Sequence, residues 1–439
     1  MHNKKFTLVS AGDAFISKRF SIFSDEDRFS SIVKIIRDAD VAFVNLETTI
    51  HTFDGYPIGE GKGDAYGQCD PYIADELKWA GFDLVSRANN HSMDYSTGGM
   101  IETSKNLDRV GLSYSGVGMN LGEAREPCYL ETNKGIVSLI SASTNSLGMA
   151  SHQRKNLRGR PGLNPLRLEI LYQLDADSFK AMKNIITKLG LWPASIPDDA
   201  EKFTVQRRDK YELSDETKVV YTLNELDYKE NIKAVEDARR LSDWVFFSLH
   251  NHISAVKAPE GFKTREIVAE PIEEFAHKCI EFGTDAFIVH GPHVLRGLEI
   301  YKGKPIFYSL GNFVFQSTLI RKQPSDLFER YDLDINDSTA DLYEKRESSP
   351  YHFFDEPEYW ESVIAECIYE DDNLIQIILH PITLNYDENK PLKEQRTKAG
   401  IPSLTDKNLG KKIIEHMNKL SSIYGTEIEY KDGKGMVKL

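Results

Sequence analysis

The sequence predicts an α/β fold in which strands and helices alternate in layers. The first observation is a set of short runs rich in β-branched or aromatic residues, most of which end in polar residues. The second is that several of the segments between them have helical spacing of apolar side chains and glycine at their ends. The strand-like runs lie at 6–9, 41–44, 82–85, 136–140, 244–249, 286–289 and 304–308.

The predicted helices have recognisable starts and stops. Acidic residues at 25–27 suit a helix N-terminus, and apolar residues follow at helical spacing from Phe29 to Ile36. The segments 72–80 and 271–282 run to Gly81 and Gly283, as helices closed by a C-terminal glycine do.

Two stretches interrupt this alternation and divide the chain. We predict a main domain over 1–320 with an insertion at about 151–240, and a second, acidic and aromatic insertion at 321–360. Residues 361–439 are predicted to complete the main domain with a hairpin, formed by 362–369 and 374–379, and a last amphipathic helix over 406–424.

Composition excludes several classes of partner. The 439-residue chain has a net charge of −14, so nucleic acid and anionic membranes are not expected partners. The N-terminus has no signal-like apolar stretch, and no segment approaches a membrane span or anchor. Four scattered cysteines suit reduced thiols, so we expect a cytoplasmic protein. The sequence leaves the oligomeric state open.

Polar side chains follow the predicted strands, where the ligand crevice of an open α/β sheet lies. Oxygen and imidazole donors gathered from separate strands are the ligands expected for one or two divalent ions such as Mn, Zn or Fe. The side chains at these strand ends are Asp13, Asn45, Glu47, Asn90, His91, His250, His252, His290, His293 and Asn312.

Each of these side chains alone also has an ordinary structural explanation. Asp13 could cap a turn, Glu47 could accept a bond from a Thr hydroxyl, and the two histidines of 250–252 could belong to a polar loop. In 290–293, Pro292 stiffens a short turn that would hold two imidazoles apart. Their joint occurrence at strand ends favours a functional site.

Several sequence blocks resemble the CapA (PgsA) family, which is named for poly-γ-glutamate capsule biosynthesis. The blocks are "SAGDAFIS", "FVNLETTI", "ANNHSMDYSTGGMIET", "SLHNH" and "VHGPHVLRGLEIYKGKPIFYSLGNFVF". The resemblance covers about 6–315 without the insertion. It implies kinship with calcineurin-like metallophosphoesterases and their four-layer αββα sandwich.

The resemblance also implies roles for individual residues. It makes Asp13 the first-strand carboxylate, and it places Asn45 and Glu47 where phosphoesterases have a bridging aspartate. It makes Asn90 a ligand and His91 the catalytic histidine. The remaining ligand positions that it implies are His250, His290 and His293.

Asp94 is the expected partner of the His91 ring, with a cap of the helix starting near Ser96 as the alternative. Two departures from the phosphoesterase pattern are Phe15, where a histidine is usual, and Val289, where glycine is usual. The resemblance therefore implies one or two ions, a weaker site, or chemistry without metal.

Three functions remain open at this point. The first is a metal-dependent hydrolase or transferase for an anionic γ-glutamyl-type peptide, polymer or phosphoester. The second is an epimerase that uses Asp13, His91 and His290 as acid-base groups. The third is a non-catalytic subunit for capsule or polymer assembly.

A basic loop in this acidic chain suggests where an anionic substrate would bind. We predict substrate contacts by Asn45, His252 and Asn312, and by arginines of the loop, which can form bidentate bonds with oxyanions. The alternative is that the arginines pair with the protein's own acids. The loop arginines are Arg154, Arg158 and Arg160.

Overall fold

The computed structural model describes residues 5–439 except 60–64, 146, 192–196, 198, 206–208, 349–355, 388 and 391. In chain order its strands are β1 (Lys5–Phe15), β2 (Val41–Leu46), β3 (Thr49–Ile50), β4 (Gln68–Cys69), β5 (Leu84–Ser86), β6 (Ser113–Ser115), β7 (Val117–Gly118), β8 (Cys128–Thr132), β9 (Gly135–Ser143), β10 (Gly162–Leu163), β11 (Leu168–Leu174), β12 (Lys202–Val205), β13 (Asp209–Leu213), β14 (Lys218–Leu223), β15 (Trp244–His250), β16 (Ala286–His290), β17 (Leu298–Tyr301), β18 (Lys304–Phe307), β19 (Asn312–Phe315), β20 (Glu361–Glu370), β21 (Asn373–Thr383), β22 (Ser403–Leu404), β23 (Ile428–Lys431) and β24 (Lys434–Val437).

The helices are α1 (Asp27–Asp38), α2 (Tyr72–Ala80), α3 (Ser96–Val110), α4 (Leu121–Arg125), α5 (Ala176–Lys188), α6 (Glu225–Leu241), α7 (Glu270–Glu281), α8 (Ser325–Arg330), α9 (Thr339–Glu347), α10 (Leu392–Gln395) and α11 (Lys407–Ser422). Short 3-10 turns occur at Ser21–Phe23, Thr264–Glu266 and Pro357–Tyr359.

Two sheets form the centre of the molecule. The first has the order β23-β24-β21-β20-β1-β2-β5-β6, with β19 paired to β1 and β22 paired to β21. The second has the order β17-β18-β16-β15-β9-β8. Helices α1, α2 and α3 cover the outer face of the first sheet, and α6 and α7 cover the outer face of the second. The architecture is the predicted αββα arrangement.

Successive side chains of a central strand point to opposite faces of its sheet, so each strand contributes to two apolar cores. Phe6 and Leu8 of β1 point into the core between the sheets, whereas Val9 and Ala11 point toward the outer helices. Strand β15 behaves in the same way, with Phe246 between the sheets and its neighbours against α6 and α7. Such strands are apolar on both faces because both faces are covered.

The elements predicted in the main domain are present, and their boundaries differ by a few residues. The predicted stop at Gly81 is confirmed, because this residue has a φ of 103° and closes α2. Helix α7 begins at Glu270 and ends at Glu281, one residue earlier at each end than its sequence pattern indicates. In the C-terminal part, β20 and β21 pair antiparallel, and Asp406 caps α11 by accepting backbone N–H bonds.

The stretch 151–240 contains two kinds of structure. The described residues between 168 and 223 include a small separate sheet in the order β12-β13-β11-β14, with α5 packed against it. Helix α6 lies outside this small sheet and belongs to the outer layer of the second sheet. The stretch 321–360 contributes α8 and α9, and residues 349–355 lie outside the described part of the chain. The helices of the described residues include none that is long and apolar enough to cross a membrane.

Candidate metal centre

Parallel pairing brings the predicted ligands together at one edge of each sheet. In the first sheet Asp13 is the register partner of Asn45 on β2 and of Asn312 on β19. In the second sheet His250 at the end of β15 is the partner of His290 at the end of β16. The two edges face each other, because the backbone N–H of Gly291 donates to the Asp13 carboxylate across 2.9 Å.

Asp13 lies at an irregular point of β1, where the register shifts on both sides. Its backbone N–H donates to the carbonyl of Gly311, so the two chain segments are in close contact. The side chain is fully buried and accepts from the Asn45 amide at 2.7 Å. Burial raises the pKa of Asp13, although the His293 imidazole and the bonds from Asn45 and Gly291 act in the opposite direction.

Imidazoles form a chain of short contacts beside Asp13. His250 Nδ1 lies 2.9 Å from His290 Nδ1, and His250 Nε2 lies 2.9 Å from His252 Nε2. Burial lowers the pKa values of His250 and His290 well below the ordinary histidine value, and the neighbouring imidazoles add to this effect. Both rings are therefore neutral near pH 7, which is the state in which imidazole binds metals.

Glu47 and His293 extend the cluster. Glu47 is fully buried, with its carboxylate oxygens 3.4 Å from His250 Nε2 and 3.8 Å from His293 Nδ1. His293 Nδ1 also lies 3.5 Å from the Asp13 carboxylate. His293 has a φ of 59°, which is unusual for a residue with a side chain.

The donor set fits a divalent ion. Donor atoms lie within 4.8 Å of one another in three overlapping groups, which are Asp13–His250–His290, Glu47–His250–His252 and Asp13–Glu47–His293. Two fully buried carboxylates beside neutral imidazoles are costly without a compensating cation. A mixed set of carboxylate oxygens and imidazole nitrogens suits Mn, Zn or Fe. The groups share Asp13, Glu47 and His250, so the arrangement is compatible with one ion or two.

Two predicted substrate-binding asparagines lie behind this donor set. The amide of Asn45 donates to Asp13 and its oxygen accepts from Asn89 at 3.1 Å. Asn312 contacts His293 Nδ1 through its amide oxygen at 2.8 Å and donates to the Tyr359 carbonyl. Both are fully buried, so their geometry favours a role in orienting Asp13 and His293 over contact with substrate.

His91 and Asp94 form a buried pair next to the donor set. His91 Nδ1 lies 2.8 Å from the Asp94 carboxylate, which also accepts from the Gly67 N–H at 2.5 Å. The cap at the start of α3 is Tyr95 and involves no side-chain bond, so the alternative role of Asp94 as a cap is not observed. A carboxylate can only accept a hydrogen bond, so this contact assigns the ring proton to Nδ1 of His91. The Phe15 ring packs edge-on against His91, with centroids 4.8 Å apart.

A cavity of about 280 Å³ lies over these groups. Its lining includes Asn90 and three histidines but, among the described residues, no carboxylate side chain. The lining residues are Phe15, Ala65, Asn90, His91, His252, Ser254, Arg265, Pro292, His293, Phe315, Ser317, Arg346 and Tyr359. Arg265 and Arg346 are lining residues that the sequence motifs did not predict, because each comes from a loop or helix without a recognisable motif.

The arginines predicted to bind substrate lie elsewhere. Arg154, Arg158 and Arg160 are exposed on the loop that precedes β10, and the described lining of the cavity includes none of them. Arg160 donates through Nε to the carbonyl of Met149 at 2.9 Å. A substrate contact by this loop therefore stays a prediction without support from the cavity.

Sequence comparison identifies relatives of the whole chain. Residues 7–317 match the family described as "Bacterial capsule synthesis protein PGA_cap". The chain is also 34% identical to y4sH of Sinorhizobium fredii, a protein named only as uncharacterized, over 447 residues that cover 99% of this chain and 93% of y4sH.

More distant similarity links the chain to proteins with functional names. It is 23% identical over 301 residues to "PGA biosynthesis protein CapA" of Bacillus subtilis, across 69% of this chain and 60% of that protein. It is 20% identical over 344 residues to "Capsule biosynthesis protein CapA" of Bacillus anthracis, across 77% and 67% of the two proteins.

Proposed function

The chain belongs to the PGA_cap family of bacterial capsule synthesis proteins, and from that premise we propose that it is a metal-dependent hydrolase or transferase. The observation that carries this proposal is that His91, His252 and His293 line one cavity. The carboxylates of Asp13, Glu47 and Asp94 are buried and lie against these histidines or against His250 beside them. The substrate class is an anionic γ-glutamyl-type peptide or a phosphoester.

The metal would be held by Asp13, Glu47, His250, His290 and His293, with Asn90 at the cavity side. When bound, a divalent ion would polarise a phosphoryl or acyl oxygen and lower the pKa of water. Asn45 and Asn312 would keep Asp13 and His293 in place through the bonds described above.

His91 supplies the proton transfer in this proposal. Its Nδ1–H is held by Asp94, so Nε2 can donate a proton to the leaving group as its bond to the substrate breaks. The negative charge of buried Asp94 stabilises the protonated ring and fixes its orientation. A positioned acid of this kind contributes roughly 10²- to 10⁴-fold to a rate.

The charge of the cavity supports an anionic substrate. The chain carries 68 acidic and 54 basic residues, yet the described lining of the cavity has two arginines, three histidines and no carboxylate. Arginine and histidine side chains on the lining supply N–H donors that carboxylate or phosphate groups can accept. The volume of about 280 Å³ suits a small anionic group or a chain end rather than a long polymer segment.

Epimerisation is the second candidate, and the position of Phe15 is the observation that favours it. An aromatic ring stands where phosphoesterases have a ligand histidine, and it packs against His91. Asp13, His91 and His290 could then remove and return a proton next to a carbonyl. This reaction predicts incorporation of deuterium from heavy water that survives chelation.

The test is turnover of a panel of phosphoesters and γ-glutamyl peptides by protein loaded with Mn, Zn or Fe, with and without chelator. Hydrolysis or transfer that is lost on chelation and restored by metal supports the proposal. Deuterium exchange without metal would support the epimerase instead. Tight binding of a γ-glutamyl polymer without any turnover would point to an assembly subunit.

A further inference from the structure

We propose that Arg265, Ser254 and Ser317 form an oxyanion subsite that binds a carboxylate or phosphate group of the substrate, an inference that rests on the proposed function of the cavity. Arg265 and Ser254 come from the connection between β15 and α7, and Ser317 comes from the segment after β19. All three line the same cavity as His91 and His293. Each supplies N–H or O–H donors, and none carries negative charge.

The guanidinium of Arg265 is held in a defined position. Its Nη1 pairs with Glu356 and its Nη2 lies 3.6 Å from the Glu358 carboxylate. The same group lies over the Tyr359 ring, 5.6 Å from its centroid. A guanidinium has five N–H donors in a fixed plane, so it can keep these contacts and still present donors to a second oxyanion. The side chain is 27% exposed, which leaves it accessible to a ligand.

A buried arginine holds the side of the cavity that Arg265 and Ser254 form. Arg296 is fully buried, and its guanidinium donates to the Arg265 carbonyl at 2.9 Å and to the Ser254 hydroxyl at 3.0 Å. Arg296 lies three residues after His293, so the segment that carries this proposed metal ligand also contacts Ser254 and Arg265. Because the Ser254 oxygen accepts from Arg296, the Ser254 proton can be donated to a ligand.

Ser317 provides an independent sign that a ligand completes the cavity. The residue is 4% exposed, and its hydroxyl has no hydrogen-bond partner within the part of the chain that the structure describes. A buried hydroxyl without a partner is costly, and a bound oxyanion would accept its proton.

The experiment measures binding of two probes, inorganic phosphate and γ-L-glutamyl-L-glutamate, to metal-loaded protein by isothermal titration calorimetry. We expect Arg265→Ala to weaken binding at least about tenfold, since a charge-assisted bond is lost. Arg265→Lys should recover part of the affinity, because lysine keeps the charge but not the planar fork. Ser317→Ala should weaken binding by roughly threefold or more.

Arg109→Ala is the matched control, because Arg109 is an exposed arginine that pairs with a carboxylate, Asp75, and lies outside the described cavity lining. It should bind both probes like wild type, and the metal content of all variants should be equal. Preference for phosphate would identify a phosphoester as the source of the oxyanion, and preference for the dipeptide would identify a glutamyl carboxylate.

The subsite is contradicted if Arg265→Ala binds the probe within about twofold of wild type, or if wild type binds neither probe at about 10 mM. Either result would leave the proposed function standing if metal-dependent turnover is present. The opposite result is binding of the probes that depends on Arg265 in a protein that shows neither metal nor turnover. That result would support the subsite and contradict the proposed function.

Discussion

His91 and Asp94 are the two residues on which turnover should depend most directly. We expect His91→Ala to lower kcat by about 10²- to 10⁴-fold, because the proton donor is removed. Asp94→Asn should lower it by about 10- to 100-fold, because the ring loses its charged partner. Steady-state kinetics on the substrate identified in the panel measures both effects.

The metal content of both variants should match wild type. His152→Ala is the control, because His152 is half exposed and contacts Glu230 away from the cavity. Unchanged kcat in Asp94→Asn would show that the pair does not participate in catalysis.

The buried histidine His51 should make the free energy of unfolding depend on pH. Burial lowers the pKa of His51 to about 4, and its Nδ1 accepts the Phe53 N–H, a bond that protonation would break. The unfolded chain takes up this proton near pH 6.5, whereas the folded protein does so only near pH 4. His51 therefore contributes stability that is present above pH 6.5 and is lost as the pH falls toward 4.

Urea unfolding at several pH values between 7.5 and 4 (about half a unit apart) measures this contribution. The free energy of unfolding of wild type should fall more steeply toward acid pH than that of His51→Gln. Parallel curves for the two proteins would be inconsistent with a depressed pKa for His51.

Residues of the site differ in how well the sequence predicts them. The donors Asp13, Glu47, His250, His290 and His293 follow recognisable strands, so their position at one edge could be predicted. The positions of Asn45 and Asn312 at strand ends could be predicted equally well. The orientation of their amide groups could not, because it depends on which atom of a neighbouring side chain each amide contacts. Arg265 and Arg346 have no local pattern, and only the tertiary fold brings them to the cavity.

At the scale of the element, the close approach of β1 to the segment before β19 controls the site. A Cβ at Gly12 would lie 1.9 Å from the Gly311 carbonyl oxygen, which accepts the Asp13 N–H. We expect Gly12→Ala to lower the free energy of unfolding by about 2–4 kcal/mol, since backbone must move, and to weaken metal binding.

Gly433→Ala is the control for this substitution. Gly433 has a φ of 83° in the turn between β23 and β24, and a Cβ there would meet no atom within 4 Å. Its replacement should cost only about 1–2 kcal/mol and leave the metal content unchanged. Urea unfolding and elemental analysis distinguish the two, and equal effects on metal content would contradict the account of Gly12.

Helices and strands of the main domain could be predicted because glycine stops and alternating apolar residues mark them. The close approach of Gly12 and Gly311 could not, because it joins residues about three hundred positions apart. The strands and helix of the small sheet were also not predicted, since their side chains are half exposed and carry little apolar periodicity.

For the whole molecule, the small sheet formed by residues 168–223 should be separable from the site. Leu168 and Leu223 are direct partners of the β11–β14 pair, so a short turn can join them. We expect replacement of 169–222 by an Asn-Gly turn to leave the metal content unchanged and to lower stability modestly, because part of the contact with α7 is lost.

Size-exclusion chromatography, thermal unfolding and elemental analysis of the shortened protein test this separation. Aggregation or loss of metal would show that the small sheet supports the main domain.

Alternation of strands and helices predicts only the α/β class of that domain. The four-layer arrangement was implied by family resemblance, because periodicity does not determine how two sheets stack.

The most direct test of the account is elemental analysis of untagged protein purified without chelator, for wild type and for His290→Ala, His293→Ala and His152→Ala. We expect about one or two equivalents of Mn, Zn or Fe in wild type and in His152→Ala, and loss of the metal in the other two variants. Wild-type protein that takes up no metal even after incubation with Mn or Zn, or variants that retain it, would contradict a metal centre at these strand ends.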